Sequence, residues 1–338
     1  MPGESCAELL ARVERHLAPE LAGTRARDGL REVAAGIPAR HASSLWLECR
    51  LATGAPRVDL SLKVSPAALT RVARGEAGPL WERIGRLARR VARGEGAAGR
   101  AGTGLWLEHD IHEPPARRVP GVFLQLPPGG DPAGAVLEAA GELLGAPPAG
   151  ALALRLRRVL AAAPAGAQLG QVGFMLARGE ASVRLCFLFH DPARLAGLLE
   201  RFGWPGPAAE VAACPGLARF TGPMMLHLDV GAGGVLPGAG LDFRLDPRPQ
   251  LRGGLPDRAL LDALAGAGLA DTQKAAALLR WPGAHRDRPG QAQLRWVSHL
   301  KLSFRPHATP EAKSYLAFSL AALPSTRRAP TPQRRTLT

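Results

Sequence analysis

Hydrophobic and polar positions along the chain fall into a cycle that repeats five times. Each cycle opens with two stretches whose apolar residues recur every three or four positions, as in amphipathic helices. It continues with two stretches in which apolar and polar residues alternate, as in half-buried strands. The first cycle predicts helices over 7–17 and 26–36, then strands SLWLECRL (44–51) and RVDLSLKV (57–64) joined by the turn-forming ATGAP. Helices follow over 66–74 and 79–94, punctuated by a Pro near the start and a Gly near the end. GLWLEHDI (104–111) and GVFLQL (121–126) form the second strand pair. The third cycle has helices over 131–144 and 150–163 and strands QVGFMLAR (171–178) and SVRLCFLF (182–189). The fourth has helices over 191–202 and 206–213 and strands MMLHLDV (224–230) and GLDFRL (240–245). The last has helices over 255–267 and 271–280 and strands LRWVSHLKLSF (294–304) and KSYLAFSL (313–320). Units of about 55–75 residues, five times over, are a repeat architecture.

The strands have two unlike faces. One parity is aliphatic or Phe, as in Val58, Leu60, Leu62 and Val64, or Leu241, Phe243 and Leu245. The other carries Trp46, Glu48 and Arg50; Asp59, Ser61 and Lys63; Trp106, Glu108 and Asp110; Phe123 and Gln125; and Arg184 and Cys186. It continues with His227 and Asp229, Asp242 and Arg244, His299, Lys301 and Ser303, and Lys313 and Tyr315. Paired helices between hairpins can cover one side of a continuous antiparallel sheet. Ten such strands leave two costly edges unless the sheet closes. The prediction is an α/β fold: five ααββ repeats closing into a ten-stranded antiparallel barrel, helices outside and the polar face inside. An open sheet with its polar face in water is the alternative, but such a face seldom carries Trp46, Trp106, Phe123 and Tyr315 among its charges.

Composition narrows the partners. The 338-residue chain carries a net charge of +14, which favours anionic ligands. Much of that charge lies on helices, as in Arg83, Arg86, Arg89, Arg90 and Arg93. More lies in STRRAPTPQRRTLT (325–338), read as a disordered basic tail after a single domain over 1–324. Aromatic content is 5% and no nucleic-acid motif is present, so a nucleic-acid partner is not expected. The N-terminus lacks a basic segment followed by an apolar one, and no apolar run reaches membrane length, so a cytoplasmic protein without membrane contact is expected, as a monomer. The four scattered cysteines have neither zinc spacing nor the density of a disulfide scaffold. The Ala, Arg, Gly and Pro excess suggests a GC-rich bacterial genome.

Five ααββ units forming a helix-ringed, ten-stranded antiparallel barrel resemble the aromatic prenyltransferase barrel of the α-β-β-α family, with its peptide-modifying, cyanobactin-type branch nearest. The resemblance covers about residues 7–321, and Lys313-Ser314-Tyr315 is similar to the family's Lys-x-Tyr strand pattern. It implies transfer of an allylic prenyl group from a diphosphate donor to an aromatic small molecule or peptide, in natural-product biosynthesis. Fixed cations stabilise a departing diphosphate, and π faces in a dry pocket stabilise a carbocation. By resemblance, Lys63, Arg184, Arg244, Lys301, Lys313 and Tyr315 would bind the diphosphate. Glu48 would be the acceptor base, with Glu108 second. Trp46, Trp106, Phe123, Met175 and His227 would wall the prenyl and acceptor pocket. No cofactor is required and no metal site is expected; Mg²⁺ could accompany the diphosphate. The sequence departs from the family in having a single tyrosine and many lumen carboxylates.

Other readings make different demands. MLHLDV is superficially similar to the His-x-Asp element of penteins, but their late cysteine nucleophile is missing after Cys214. A barrel that has lost catalysis and binds a peptide or isoprenoid-like ligand needs no cation shield. A scaffold using basic helices on acidic partners would not need the lumen. The glycine string GAGGVLPGAG (231–240) opens no helix, so it is read as a hairpin loop at the barrel mouth.

Overall fold

The computed structural model describes residues 6–322 apart from 37–41, 76–77, 113–118, 128–130, 147–149, 177–180, 215, 218–219 and 289–290. The basic tail at 325–338 lies outside the described residues. Ten strands run in antiparallel succession: β1 (Ala42–Arg50), β2 (Val58–Val64), β3 (Gly104–His109), β4 (Gly121–Gln125), β5 (Gln168–Phe174), β6 (Val183–Phe189), β7 (Met224–Gly231), β8 (Gly234–Arg244), β10 (Gln291–Phe304) and β11 (Glu311–Ala322). β11 pairs with β10 on one side and β1 on the other, Leu47 standing opposite Leu316, so the ring closes. An eleventh strand, β9 (Gly283–Arg288), pairs among the described residues only with the Gln291–Arg295 end of β10 and lies outside the ring.

Helices surround the ring: α1 (Cys6–Glu14), α2 (Thr24–Gly36), α3 (Pro66–Gly75), α4 (Pro79–Arg93), α5 (Gly96–Ala101), α6 (Pro132–Leu144), α7 (Gly150–Ala162), α8 (Leu195–Arg201), α9 (Ala208–Ala212), α10 (Pro247–Leu251), α11 (Arg258–Gly266) and α12 (Thr272–Arg280). Local signals explain several of their ends. α4 begins at Pro79, where a missing N–H costs nothing, and stops at Gly94, whose φ of 66° suits a residue without a Cβ. Asp131, Asp257 and Asp271 cap α6, α11 and α12, each accepting a hydrogen bond from a backbone N–H of the first turn. The buried stripe Ile84, Leu87, Ala88 and Val91 faces α4 inward at helical spacing. It packs in one continuous core with the outward strand residues, Leu45, Leu47, Val58, Leu60, Leu62, Leu241 and Phe243 among them, all fully buried. At about 1.5–3 kcal/mol per buried large apolar side chain, this shell between barrel and helices is the main stabilising layer.

Differences from the sequence reading have local causes. β5 starts three residues earlier than predicted, at Gln168. The glycine string is not a loop: β7 continues to Gly231 and β8 starts at Gly234, leaving a two-residue turn. Pro237 sits in β8 where the register shifts, a position that tolerates a residue without an N–H, and its carbonyl accepts from Trp204 Nε1 at 3.0 Å. The helix expected over 191–202 opens with a 3-10 turn at Pro192–Arg194, capped by Asp191. α5, α10 and β9 are additions. α5 is small and glycine-rich, and is fastened from elsewhere: Glu138 accepts from Ala98 N at 2.9 Å. β9, Gly-Ala-His-Arg-Asp-Arg, has no alternating apolar pattern because it lies off the barrel.

Candidate active site

Alternation sends the polar strand face into the lumen, as predicted, and the register then divides that lumen into two layers. Strand-to-strand hairpins lie at one end and helix connections at the other. Toward the helix end, Trp46 stands opposite Ala317 and Ser61, and Trp106 opposite Phe123 and Lys63. Trp46 and Trp106 meet with ring centroids 4.2 Å apart, forming one apolar cluster with Tyr315, Ala317 and Trp296. Phe123, Cys186 and Met225 form a second, which Trp106 and Met175 also touch. Gly173 makes room here, since a Cβ on it would fall 2.4 Å from the Phe123 ring. This end of the barrel is plugged.

Toward the hairpin end lies a cavity of about 870 Å³ lined by charge. It falls within the range of about 300–1,000 Å³ usual for ligand sites. Six cations reach its wall (Arg50, Arg57, Arg184, Lys301, Arg305, Lys313), matched by six carboxylates (Glu48, Asp59, Glu108, Asp110, Asp229, Glu311).

Most of these charges are paired. Glu48 is a hub: it accepts from Lys313 Nζ at 2.8 Å and from the Tyr315 hydroxyl, and Arg50 lies 3.6 Å away. Burial alone would raise its pKa, but Lys313, Arg50 and Lys301 hold it well below the usual carboxylate range. Burial, with Glu48 beside it, pushes the Tyr315 phenol upward. Arg50 also holds Asp59 at 3.0 Å and Glu311 at 2.8 Å. Burial, then Glu48 and Asp110, nevertheless pushes Asp59 up to about 8. Arg184 and Asp229 form a two-pronged pair, both bonds 2.8 Å.

Below Lys301, the buried Asp242 accepts from His227 Nε2 at 2.8 Å, with Lys301 and His299 each 3.7 Å away. Cys186 Sγ lies 3.3 Å from His227 Nδ1. Burial drives His227 down to about 4 and His299 to about 3, and the Cys186 thiol up to about 12, so all three are neutral near pH 7. A neutral, fully buried thiol is a packing element, not a nucleophile.

Glu108 stands apart. It lines the cavity and makes no hydrogen bond or ion pair among the described residues. Burial, then Glu48, raises its pKa.

The structure therefore sorts the residues singled out from sequence. Glu48, Glu108, Arg184, Lys301, Lys313, Tyr315, Met175 and His227 come together around the cavity. Lys63 does not: its Nζ lies over the Trp106 ring, 5.7 Å from the centroid. Arg244 stands opposite His299 and is likewise off the cavity wall. Trp46, Trp106 and Phe123 form the plug beneath the cavity instead of its wall. Sequence reading missed Arg57 and Arg305 as site residues. They sit beside the β1–β2 and β10–β11 hairpins, where a basic residue adjoining a lumen strand was the available signal.

The apo form of prenyltransferase PriB superposes with a TM-score of 0.52 at 17% identity, covering 92% of this chain and 94% of PriB. The 5-dimethylallyltryptophan synthase of Streptomyces coelicolor gives 0.51 at 16% identity, over 94% of this chain and 98% of the synthase. The same enzyme's complex with DMASPP and Trp gives 0.53 at 16% identity, over 93% and 95%. The fold is that of the aromatic prenyltransferase barrel. No protein-family model matches the chain, and no curated protein does. Among the described residues, no helix is long and apolar enough to cross a membrane.

Proposed function

We propose that this chain transfers an allylic prenyl group from a diphosphate to an aromatic nucleophile within the barrel. The observation that carries the reading is a charged cavity seated directly on an aromatic plug, inside a fold shared with a synthase solved with DMASPP and Trp. A prenyl diphosphate needs both environments: cations for its head and a dry, π-rich surface for its tail. In this reading Lys301, Lys313, Arg184 and Arg305 receive the diphosphate as the C1–O bond breaks, and Tyr315, bridging cavity and plug, faces the allylic cation. The cation bonds to the acceptor ring, and Glu108 removes the proton released there. Glu108 suits that task because its raised pKa gives a stronger base and it forms no ion pair among the described residues. Glu48 acts by positioning, holding Lys313 and Tyr315 in place. Mg²⁺ is not required and enters only as a counterion of the donor. A peptide bearing an aromatic side chain is an acceptor of the same chemistry.

One observation favours a second reading, a barrel that binds such a ligand without turning it over. Arg50, Arg184 and Lys313 already hold carboxylates, and each must loosen to grip a diphosphate. Lys313→Ala combined with Tyr315→Phe separates the two. A transferase should lose kcat by about 10²–10³-fold, the scale of one lost electrostatic stabiliser. Loss of donor affinity alone, in a chain with no measurable turnover, supports the binder.

A further inference from the structure

Beneath the cavity lies a carboxylate that the proposed chemistry does not use. Asp242, on β8, is 3% exposed and does not reach the cavity wall. It touches two groups that do. His227 Nε2 donates to its Oδ2 at 2.8 Å, which leaves His227 Nδ1 to accept from the Cys186 thiol. Lys301, its cross-strand partner on β10, places Nζ 3.7 Å from Oδ1, an ion pair too long for a hydrogen bond. Oδ1 is buried and hydrogen-bonded to nothing among the described residues. A third neighbour, His299, lies 3.7 Å from Oδ2 and stacks on the Tyr315 ring with centroids 3.9 Å apart.

The charge of Asp242 is balanced through Lys301. Burial opposes its ionisation, but His227, Lys301 and His299 hold its pKa below the usual carboxylate range, and both histidines are neutral near pH 7. Lys301 is thus the cation that compensates a buried anion. It is also held more loosely than its neighbours on the wall. Arg50, Arg184 and Lys313 each hydrogen-bond a carboxylate at 3.0 Å or less, whereas Lys301 makes no such bond among the described residues. Its stem runs over Gly240, where a Cβ would fall 2.9 Å from Lys301 Cε. Gly240 lies nearer the β7–β8 hairpin than Asp242 does, so the lysine leans from the aspartate toward the cavity.

We infer that Asp242 is a positioning residue whose buried charge holds Lys301 on the β8 wall, aimed at the diphosphate of the donor. The inference rests on the diphosphate site proposed above and adds the anchor that aims one of its cations. Without that anchor Lys301 would turn to Glu48 and Glu108, whose ionised forms it already favours. A cation engaged there is lost to the ligand. The sign of the effect separates this role from a bare field. Removing a carboxylate near an anion site tightens anion binding through the field alone, whereas losing the anchor weakens it.

The chain has four lysines, Lys63, Lys274, Lys301 and Lys313, so NMR of isotope-labelled lysine Cε groups follows each of them in the full protein. Lys301→Arg assigns the Lys301 signal. Inorganic pyrophosphate is titrated into the parent, into Asp242→Asn, and into Asp242→Asn combined with Lys301→Met. Asn keeps an acceptor for His227 Nε2, so Asp242→Asn removes the charge and spares the hydrogen bond. In the parent, pyrophosphate should shift Lys301 and Lys313. In free Asp242→Asn the Lys301 signal should move while those of Lys63 and Lys274 stay, and pyrophosphate affinity should fall by about fivefold or more. Adding Lys301→Met should then cost less than about twofold, because the two residues act as a unit. An unmoved Lys301 signal, movement of Lys63 and Lys274 as well, or unchanged or tighter pyrophosphate binding in Asp242→Asn would overturn the positioning role. Failure of the parent to bind pyrophosphate would overturn the diphosphate site itself, and the Lys301 signal of the free protein tells the two failures apart.

Discussion

Glu48 and Glu108 occupy the same face of the barrel two strands apart, yet their surroundings push their pKa values in opposite directions. Glu48 is ringed by Lys313, Arg50 and the Tyr315 hydroxyl and stays ionised; Glu108 makes no hydrogen bond or ion pair among the described residues and holds its proton to higher pH. If Glu108 is the base, kcat should rise with pH as it ionises. Glu108→Gln should then lower kcat by about 10²–10⁴-fold and flatten that profile. A pH–rate profile measured on both proteins checks this, and an unaltered profile in the variant removes Glu108 from the chemistry.

Asp59 makes an opposite contribution to stability from Glu48. Its folded pKa of about 8 lies above its ordinary value of 3.8, so the native state keeps a proton that the unfolded chain has released. That stabilisation is complete below pH 3.8 and is lost as pH rises toward 8. Glu48 is held below its ordinary 4.5, so its contribution is present above that pH and lost in acid. Asp59→Asn should therefore shrink the fall in Tm between pH 5 and 9 while leaving the acid side unchanged. Parallel Tm curves for variant and parent would contradict the assignment.

Among the elements, β10 shows how a strand can outgrow its ring. Its register slips between Val297 and His299, and the Gln250 side chain fills the gap left between β8 and β9. Gln250→Leu would leave a buried N–H and a buried carbonyl unpaired. A loss of about 2–6 kcal/mol is expected, at about 1–3 kcal/mol for each of the two orphaned groups, measured by chemical denaturation. A loss below 0.5 kcal/mol would mean that another group fills the gap. The ten ring strands were legible in the sequence because each must bury one face, which writes a period of two into the residues. β9 was not, because a strand off the barrel has no buried face. The polar alternation also put Glu48, Glu108, Lys301, Lys313 and Tyr315 on the cavity side of their strands, but not Trp296, which the slip between Val297 and His299 turns toward Trp46 and Tyr315. It could not place Trp46 or Lys63 along the barrel axis, because depth depends on register and register depends on partners far away in sequence.

For the molecule as a whole, the layered lumen changes what the sequence implied. Reading parity alone suggested cations and aromatics mingled around one ligand. The register instead stacks an aromatic plug beneath a cavity lined by cations and carboxylates, so donor head and prenyl tail would occupy different depths. Which cations were already engaged was also beyond the sequence. Arg184 with Asp229 and Arg50 with Asp59 and Glu311 join residues whose types were visible but whose distances were not. The measurement that bears most directly on the central claim is diphosphate release. The chain would be incubated with dimethylallyl, geranyl and farnesyl diphosphates, each with and without tryptophan and tryptophan-containing peptides. The account predicts release from at least one donor, dependent on an aromatic acceptor and matched by a prenylated product. Neither binding nor release with any donor would contradict it.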